Sequence, residues 1–527
     1  MKKPELSLKR PSLGGSRTSL SLLSAAGLLA LVLGVAELRQ PAAPTGPAAT
    51  AAASAQVERT AVVCPEPRQG LTGSTTITAL TPGAGGTATG GTGTVRDVVP
   101  PAAAAAPSGS PAASPAPAAP ASGAPVDGRL VLAKPGTPVA VQAAPGDTAP
   151  GSSAVASGAF APGFTVTQTT TVTDLRGQGM SGLTCTPDGT NFWFAGASAA
   201  GDRTDYVSLV NASAAPAVVD VRLFGDKGQI ENDGGTGITV APGTSQSVLL
   251  STLTNNTPVA DLAVQVVARS GRIGAALHAA DGSKGADWVP ASVDPAAGVV
   301  LPGLPADLSG ARLVVFAPGQ DDADLKIQLS GPNGWFTPAG FETIHVKAGM
   351  VAAEDLQQIN RKEVSALRLT PSDPQHAAPV IAGIRVDRAN NGKSDAAWLT
   401  GSAPIGRRAS IADVRPGGAA TLMLTATGDA ATVRVTASAS TGGGTPASKD
   451  VQIPAGATVS LPAPEPAGGN GAYGVTMETV SGGPVVAARM LAVNSKDVPM
   501  FTIQALRDDR SYVQVPRAQQ DPGVLLR

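Results

Sequence analysis

Residues 278–292 read HAADGSKGADWVPAS and residues 385–402 read RVDRANNGKSDAAWLTGS. Both run from a short apolar strand into a turn of Gly, Asn, Asp and Ser, then into a segment that reaches a tryptophan. Two more stretches share the pattern: CTPDGTNFWFAG at 185–196, and LAVNSKDVPMFTIQA at 491–505, where Phe501 stands in for Trp. Apolar runs joined by a Gly/Asx turn are the sequence signature of a β-hairpin. Asp188, Asp281 and Asn391 fall in the equivalent turns, where such side chains bond their own backbone.

Working outward, the segments 272–276 (RIGAA), 380–384 (VIAGI) and 485–489 (VVAAR) precede three of these turns. Further upstream lie runs of alternating character at 218–224 (VVDVRLF), 324–329 (DLKIQL) and 431–435 (ATVRV). Each is followed by a second run ending at a glycine turn: 238–243 (ITVAPG), 344–349 (IHVKAG) and 451–456 (VQIPAG). Alternation places apolar residues on one face of a strand, so the expected fold is all-β. The pattern recurs about every hundred residues, too long for a solenoid unit, so each copy is expected to own a core. The reading is of tandem antiparallel β-sandwiches of immunoglobulin-like type, arranged as beads in a row. Their expected bounds are 201–300, 301–405 and 406–510, with a tail at 511–527. A degenerate first copy covers 58–200, with strands at Thr60–Cys64, Thr75–Leu80, Leu130–Ala133 and Phe164–Thr173.

The repeat also decides the aromatics. Trp193, Trp288, Trp398 and Phe501 are expected at one equivalent position, as core plugs rather than ligand-stacking platforms. Trp335 and Phe336, in GPNGWFTP, fall outside the pattern. They are the candidate contact for a ligand or protein partner, the alternative being packing against a neighbouring copy.

The 527 residues carry 38 Lys+Arg against 39 Asp+Glu, a net charge of −1, which excludes the basic surface that nucleic-acid binding needs. With 63 glycines and 46 prolines, long helices and coiled coils are excluded too. The exception is the N-terminus. Residues 1–17 form a basic leader, with Lys2, Lys3, Lys9, Arg10 and Arg17, and residues 18–36 are uncharged and apolar. That span is long enough to cross a bilayer once, leaving the rest of the chain outside the cytoplasm. The alternative is a signal peptide cleaved near Gly34-Val35-Ala36, releasing a secreted form. A Pro/Ala linker covers 37–57, and a second low-complexity stretch at 100–127 reads as a disordered insert in the first copy.

Cys64 and Cys185 are the only cysteines. Outside the cytoplasm an even pair oxidises, and this bridge would close a loop worth roughly 4–5 kcal/mol in chain entropy. No nucleophile elbow, HExxH or phosphate loop is present. The spacing of His278, His345 and His376 does not suggest one site, and a serine triad has few candidate bases to draw on. The stretch from Asp387 through Asn391 and Gly392 to Asp395 resembles a calcium loop, but Ala389 occupies a ligand position. That stretch and the acidic run Asp321, Asp322, Asp324 read as solvated turns. No cofactor or metal is expected.

The basic leader and apolar helix are followed by Cys64-Pro65-Glu66, by Cys185-Thr186-Pro187-Asp188-Gly189 leading to Asn191-Phe192-Trp193-Phe194, and by Leu209-Val210-Asn211. In this run the chain resembles an uncharacterised family of actinobacterial secreted or membrane-anchored proteins, known only as a domain of unknown function. The resemblance covers most of residues 58–510 and brings no catalytic or binding residues. It implies the outer face of the cytoplasmic membrane or the cell wall. The expected function is therefore that of a non-catalytic binding or scaffolding protein of the cell envelope. It would be held to the membrane by its N-terminal helix and contact wall glycan or an envelope-assembly protein. The alternative is an extracellular glycan hydrolase with a site between copies.

Overall fold

The computed structural model describes residues 53–515 except 69, 71, 84–88, 101–128, 147–148, 174–177 and 496. The expected helix at 18–36, most of the linker and nearly all of the insert lie outside the described residues. Among the described residues no helix is long and apolar enough to cross a membrane. Gln56–Val513 form one compact unit, and the remaining described residues belong to a second.

The unit is all-β and its sheets are antiparallel, with helical turns only at Gly158–Phe160, Leu250–Leu253 and Pro374–His376 among the described residues. Alternation explains the strands. In Ala323–Gly331, Leu325, Ile327 and Leu329 are buried while Asp324 and Lys326 are exposed.

Four repeats share one strand order. In the third, the strands are Val299–Leu304, Gly310–Phe316, Ala323–Gly331, Gly334–Phe336, Val351–Asp355, Ser365–Pro371, Ile381–Asn390 and Lys393–Thr400. One sheet runs first-sixth-third-fourth and the other fifth-second-seventh-eighth. The same order spans 59–184, 191–289 and 408–506; the second and third repeats add a short strand beside the third. In the immunoglobulin constant fold the first strand lies beside the second. Here it lies beside the sixth, so the immunoglobulin-like expectation is corrected.

The bounds differ from the sequence reading as well. Asn191–Ala197 pairs with Leu262–Ser270 and is the first strand of the second repeat, so that copy begins ten residues before its expected start, while the other three begin within two residues of theirs. The stretch 185–196 is therefore a junction between repeats and not a hairpin.

Register fixes which residues are equivalent. From the last residue of the fifth strand through its partners on the second, seventh and eighth, the rows are Leu249–Tyr206–His278–Trp288 and Asp355–Arg312–Arg385–Trp398. The other two are Gln142–Thr76–Thr169–Gly182 and Pro462–Thr421–Met490–Ile503. Trp288 and Trp398 are equivalent, as expected, but Phe501 lies two residues from that position and Trp193 is on a first strand.

The beads-in-a-row expectation is overturned: the repeats are fused into a closed ring. The first strand of the second repeat packs on the second and seventh strands of the third, and the same relation holds from third to fourth and from fourth to first. The first strand of the first repeat reaches the seventh of the second. Cores are shared. Trp398 and Ala396 complete the core of the second repeat, Phe501 and Ile503 that of the third, and Met180 that of the fourth. Close approach depends on glycine. A Cβ on Gly383 would lie 2.0 Å from the Ala195 carbonyl oxygen, and one on Gly303, at φ +102°, would lie 2.7 Å from Ala488 Cβ. Aromatics fill the second-to-third seam, where Trp193 and Phe224 lie 5.8 and 4.5 Å from Phe316.

The four eighth strands converge at the centre of the ring, each touching the next. Two fully buried carboxylates tie them. Asp395 accepts from the N–H groups of Met180 (3.0 Å), Phe501 (2.9 Å) and Ala396 (2.9 Å). Asp287 accepts from Gly182 N–H (2.7 Å), Trp288 N–H (2.8 Å) and the Thr502 hydroxyl (2.8 Å). The ring closes where Val57 N–H donates to the Ser511 carbonyl (3.0 Å) and Arg408 bonds Asp509 (2.6 Å) and the Pro162 carbonyl (3.1 Å).

Candidate functional site

Cys64 ends the first strand of the first repeat, and Cys185 follows that repeat's eighth strand. Their Cα atoms are 4.7 Å apart and the two form a disulfide. Both are buried, and Val63 N–H donates to the Thr186 carbonyl at 2.8 Å, so the bridge pins the start of one repeat to the junction with the next. The segment after Cys64 docks on the second repeat: Ser247 donates to Glu66 at 3.0 Å, Arg68 bonds Ser247, and the Arg68 guanidinium lies 4.8 Å from the Tyr206 ring centroid.

Trp335 and Phe336 form the short fourth strand of the third repeat. Arg368 stacks on Trp335 at 4.1 Å and Arg361 on Phe336 at 5.1 Å. A Cβ on Gly456 of the fourth repeat would lie 2.8 Å from Trp335, so this ring rests on the neighbouring repeat. Trp288 is buried against His278, with ring centroids 4.9 Å apart, and Trp398 donates its indole N–H to the Gly196 carbonyl at 3.2 Å.

The acidic candidates are dispersed by the fold. Asp395 is at the hub, while Asp387 lies on the seventh strand within 2.9 Å of Arg385. Asp322 bonds Ala348 N–H at 2.8 Å, and Asp324 contacts His345 at 2.7 Å. His278 and His376 lie elsewhere. Among the described residues no three His, Cys, Asp or Glu side chains converge as a metal site.

Among the described residues, clefts open between repeats at two equivalent places. The first, about 170 Å³, lies between the second and third repeats and is lined by Arg203, Asp261, Asp281, Arg312, Arg385 and Trp398, among others. Apart from the exposed Asp202, its charges are committed to one another. Arg312 grips Asp261 with two bonds of 2.6 and 2.7 Å, and Arg203 grips Asp205 at 2.7 and 3.0 Å. Arg385 lies between Asp281 at 3.2 Å and Asp387. Burial pushes the Asp205 and Asp387 carboxyls above their ordinary value, while Arg203 and Arg385 pull each back. The bond to Asp261 raises Arg312 further. Such a cluster cross-links two repeats. Sequence reasoning missed it because its members are scattered over nearly two hundred residues and carry no spacing signal.

The second cleft, about 470 Å³, lies where the fourth repeat meets the first. Ser74, Thr76, Gln142 and Thr171 line one wall, and Asp413, Arg415, Thr441 and Ala472 line the other. Asp413 is held in the left-handed region at φ 53°, and its carboxylate pairs loosely with Arg415 at 3.3 Å.

No curated protein matches the chain. The model of a family of unknown function, DUF5719, matches residues 139–464, from the fifth strand of the first repeat to just past the fifth strand of the fourth. With more than half of its length matched, the chain belongs to the DUF5719 family.

Proposed function

We propose that this protein is a non-catalytic binding or scaffolding component of the cell envelope, working outside the cytoplasm. One observation carries the non-catalytic part: three carboxylates at the charged cleft, Asp261, Asp281 and Asp387, are each engaged by an arginine. General acid–base catalysis needs a carboxyl free to exchange a proton with a substrate. Repeats locked through shared cores suit a rigid platform that presents loops and seams. The buried Cys64–Cys185 disulfide supports an oxidising, extracytoplasmic compartment. Anchorage by residues 18–36, or release by cleavage after them, is part of the same reading, as are a wall glycan or an envelope-assembly protein as partner.

The test is co-sedimentation of the protein with purified cell walls, together with an assay for soluble sugar released from them. Binding without release is expected. Release abolished by Asp281→Asn or Asp387→Asn would replace this reading with a glycan hydrolase acting between repeats. Neither binding nor release would remove the wall as target.

A further inference from the structure

The pseudo-symmetry of the ring allows its two clefts to be compared position by position. Arg312 and Thr76 are equivalent, since each pairs with the last residue of the fifth strand. Asp261 and Ala472 are equivalent, since each immediately precedes the sixth strand. Arg385 and Thr169 are equivalent by the same register. Between the second and third repeats, Arg312 and Asp261 reach across and narrow the cleft to about 170 Å³. Between the fourth and the first, the corresponding residues are Thr76 and Ala472, too short to meet, and the cleft stays open.

What replaces the charges is a set of hydroxyls. Thr76 and Ser74 alternate onto one face of their strand, and Thr171, the partner of Ser74, shares that face. Gln142 donates from Nε2 to the Thr76 hydroxyl at 2.8 Å, leaving its Oε1 and the Thr76 hydrogen uncommitted. Among the described residues the hydroxyls of Ser74, Thr171 and Thr441 have no protein partner. Deeper on the same face, the buried hydroxyls of Thr78, Thr167 and Thr169 have no partner among the described residues either. Buried polar groups normally find one. Among the described residues the only charged groups lining the walls, Asp413 and Arg415, pair with each other. A groove of groups that both donate and accept, without net charge, matches a ligand whose own groups do the same.

We propose that the groove between the fourth and first repeats binds a neutral saccharide, its hydroxyls bonding to Ser74, Thr76, Gln142, Thr171 and Thr441 and flanked by the Asp413–Arg415 pair. This deepens the proposed glycan-binding role and rests on it.

The experiment copies one seam into the other. The double variant Thr76→Arg/Ala472→Asp places the Arg312–Asp261 pair in the groove; Ser74→Ala/Thr171→Val removes two hydroxyls at nearly constant volume. Binding of chitotetraose, cellotetraose and maltotetraose to the whole chain is measured by titration calorimetry and saturation-transfer NMR. At least one should bind the parent, and both variants should weaken it by about tenfold or more while keeping the parent's circular dichroism spectrum. Binding of none of the three, or equal binding by the filled variant, would overturn the proposal. The filled variant is also sedimented with purified walls. Retained wall binding alongside lost tetrasaccharide binding supports the groove as a specific subsite. Retained wall binding where the parent binds no tetrasaccharide sinks the groove and leaves the broader envelope role standing.

Discussion

Asp287 accepts a hydrogen bond from the Thr502 hydroxyl at 2.8 Å, although the two side chains belong to the second and fourth repeats, which face each other across the ring. This bond and the Asp395 contacts to Met180 and Phe501 turn four separate edge strands into one centre. Asp395→Ala should therefore orphan three buried N–H groups, at about 1–3 kcal/mol each. Chemical denaturation should show a loss well beyond that of a surface substitution such as Asp321→Ala. Equal midpoints for the two variants would mean that the hub contributes little.

Burial drives both hub carboxyls well above the ordinary 3.8, against the pull of their N–H and hydroxyl donors. A carboxyl with a raised native pKa binds its proton more tightly folded than unfolded. Its contribution to stability is thus complete below about pH 4 and is lost as pH rises through the native value. Asp205 and Asp387 act in the same direction. Melting temperature should hold steady or rise between about pH 7 and about pH 5, and Asp287→Asn should flatten that profile. A steep fall over the same interval would contradict the assignment.

Arg489 is fully buried inside the fourth repeat, and no atom of its guanidinium has a hydrogen-bond partner among the described residues. Burial lowers it to about 10, with only Asp413 and Asp287 attracting it at longer range. A buried charge without partners costs more than an apolar side chain of similar volume. Arg489→Met is expected to stabilise the protein by about 1–4 kcal/mol, read as a higher thermal midpoint. A lower midpoint would show that the charge is balanced in place.

Gly383→Ala should wedge the second repeat from the third, since the added methyl would meet the Ala195 carbonyl. Overpacking of this kind costs about 1–3 kcal/mol or more. Gly392→Ala, in an open turn with φ +77°, serves as the comparison, because it carries backbone strain without a clash. Hydrogen exchange should speed up selectively in strands Asn191–Ala197 and Ile381–Asn390 of the Gly383 variant. Unchanged exchange there would disprove a tight seam.

The strands themselves were legible. Alternation in 218–224, 324–329 and 431–435 marks residues that the structure places in third strands, and three of the four Gly/Asx turns are hairpins. The start of the second repeat was not legible, because NFWFAG imitates the end of a hairpin while its pairing partner, Leu262–Ser270, lies some seventy residues further on. Ring closure left no trace in the pattern either. The contacts that fuse the repeats use small residues such as Gly303, Gly383, Ala195 and Ala488, which look the same in any loop or strand. The charged cleft escaped notice for a related reason: Asp261, Arg312 and Arg385 each read as ordinary surface charge until the fold brings them together.

At the closing point Val57 and Ser511 are joined by a backbone hydrogen bond, and Gln56 reaches the Tyr512 hydroxyl at 3.2 Å. The order in which the four repeats are written in the polypeptide is thus almost arbitrary. A circular permutant of residues 56–512 that begins at Ala291, with a short bridge from Tyr512 to Gln56, would present the same surfaces from a different starting place.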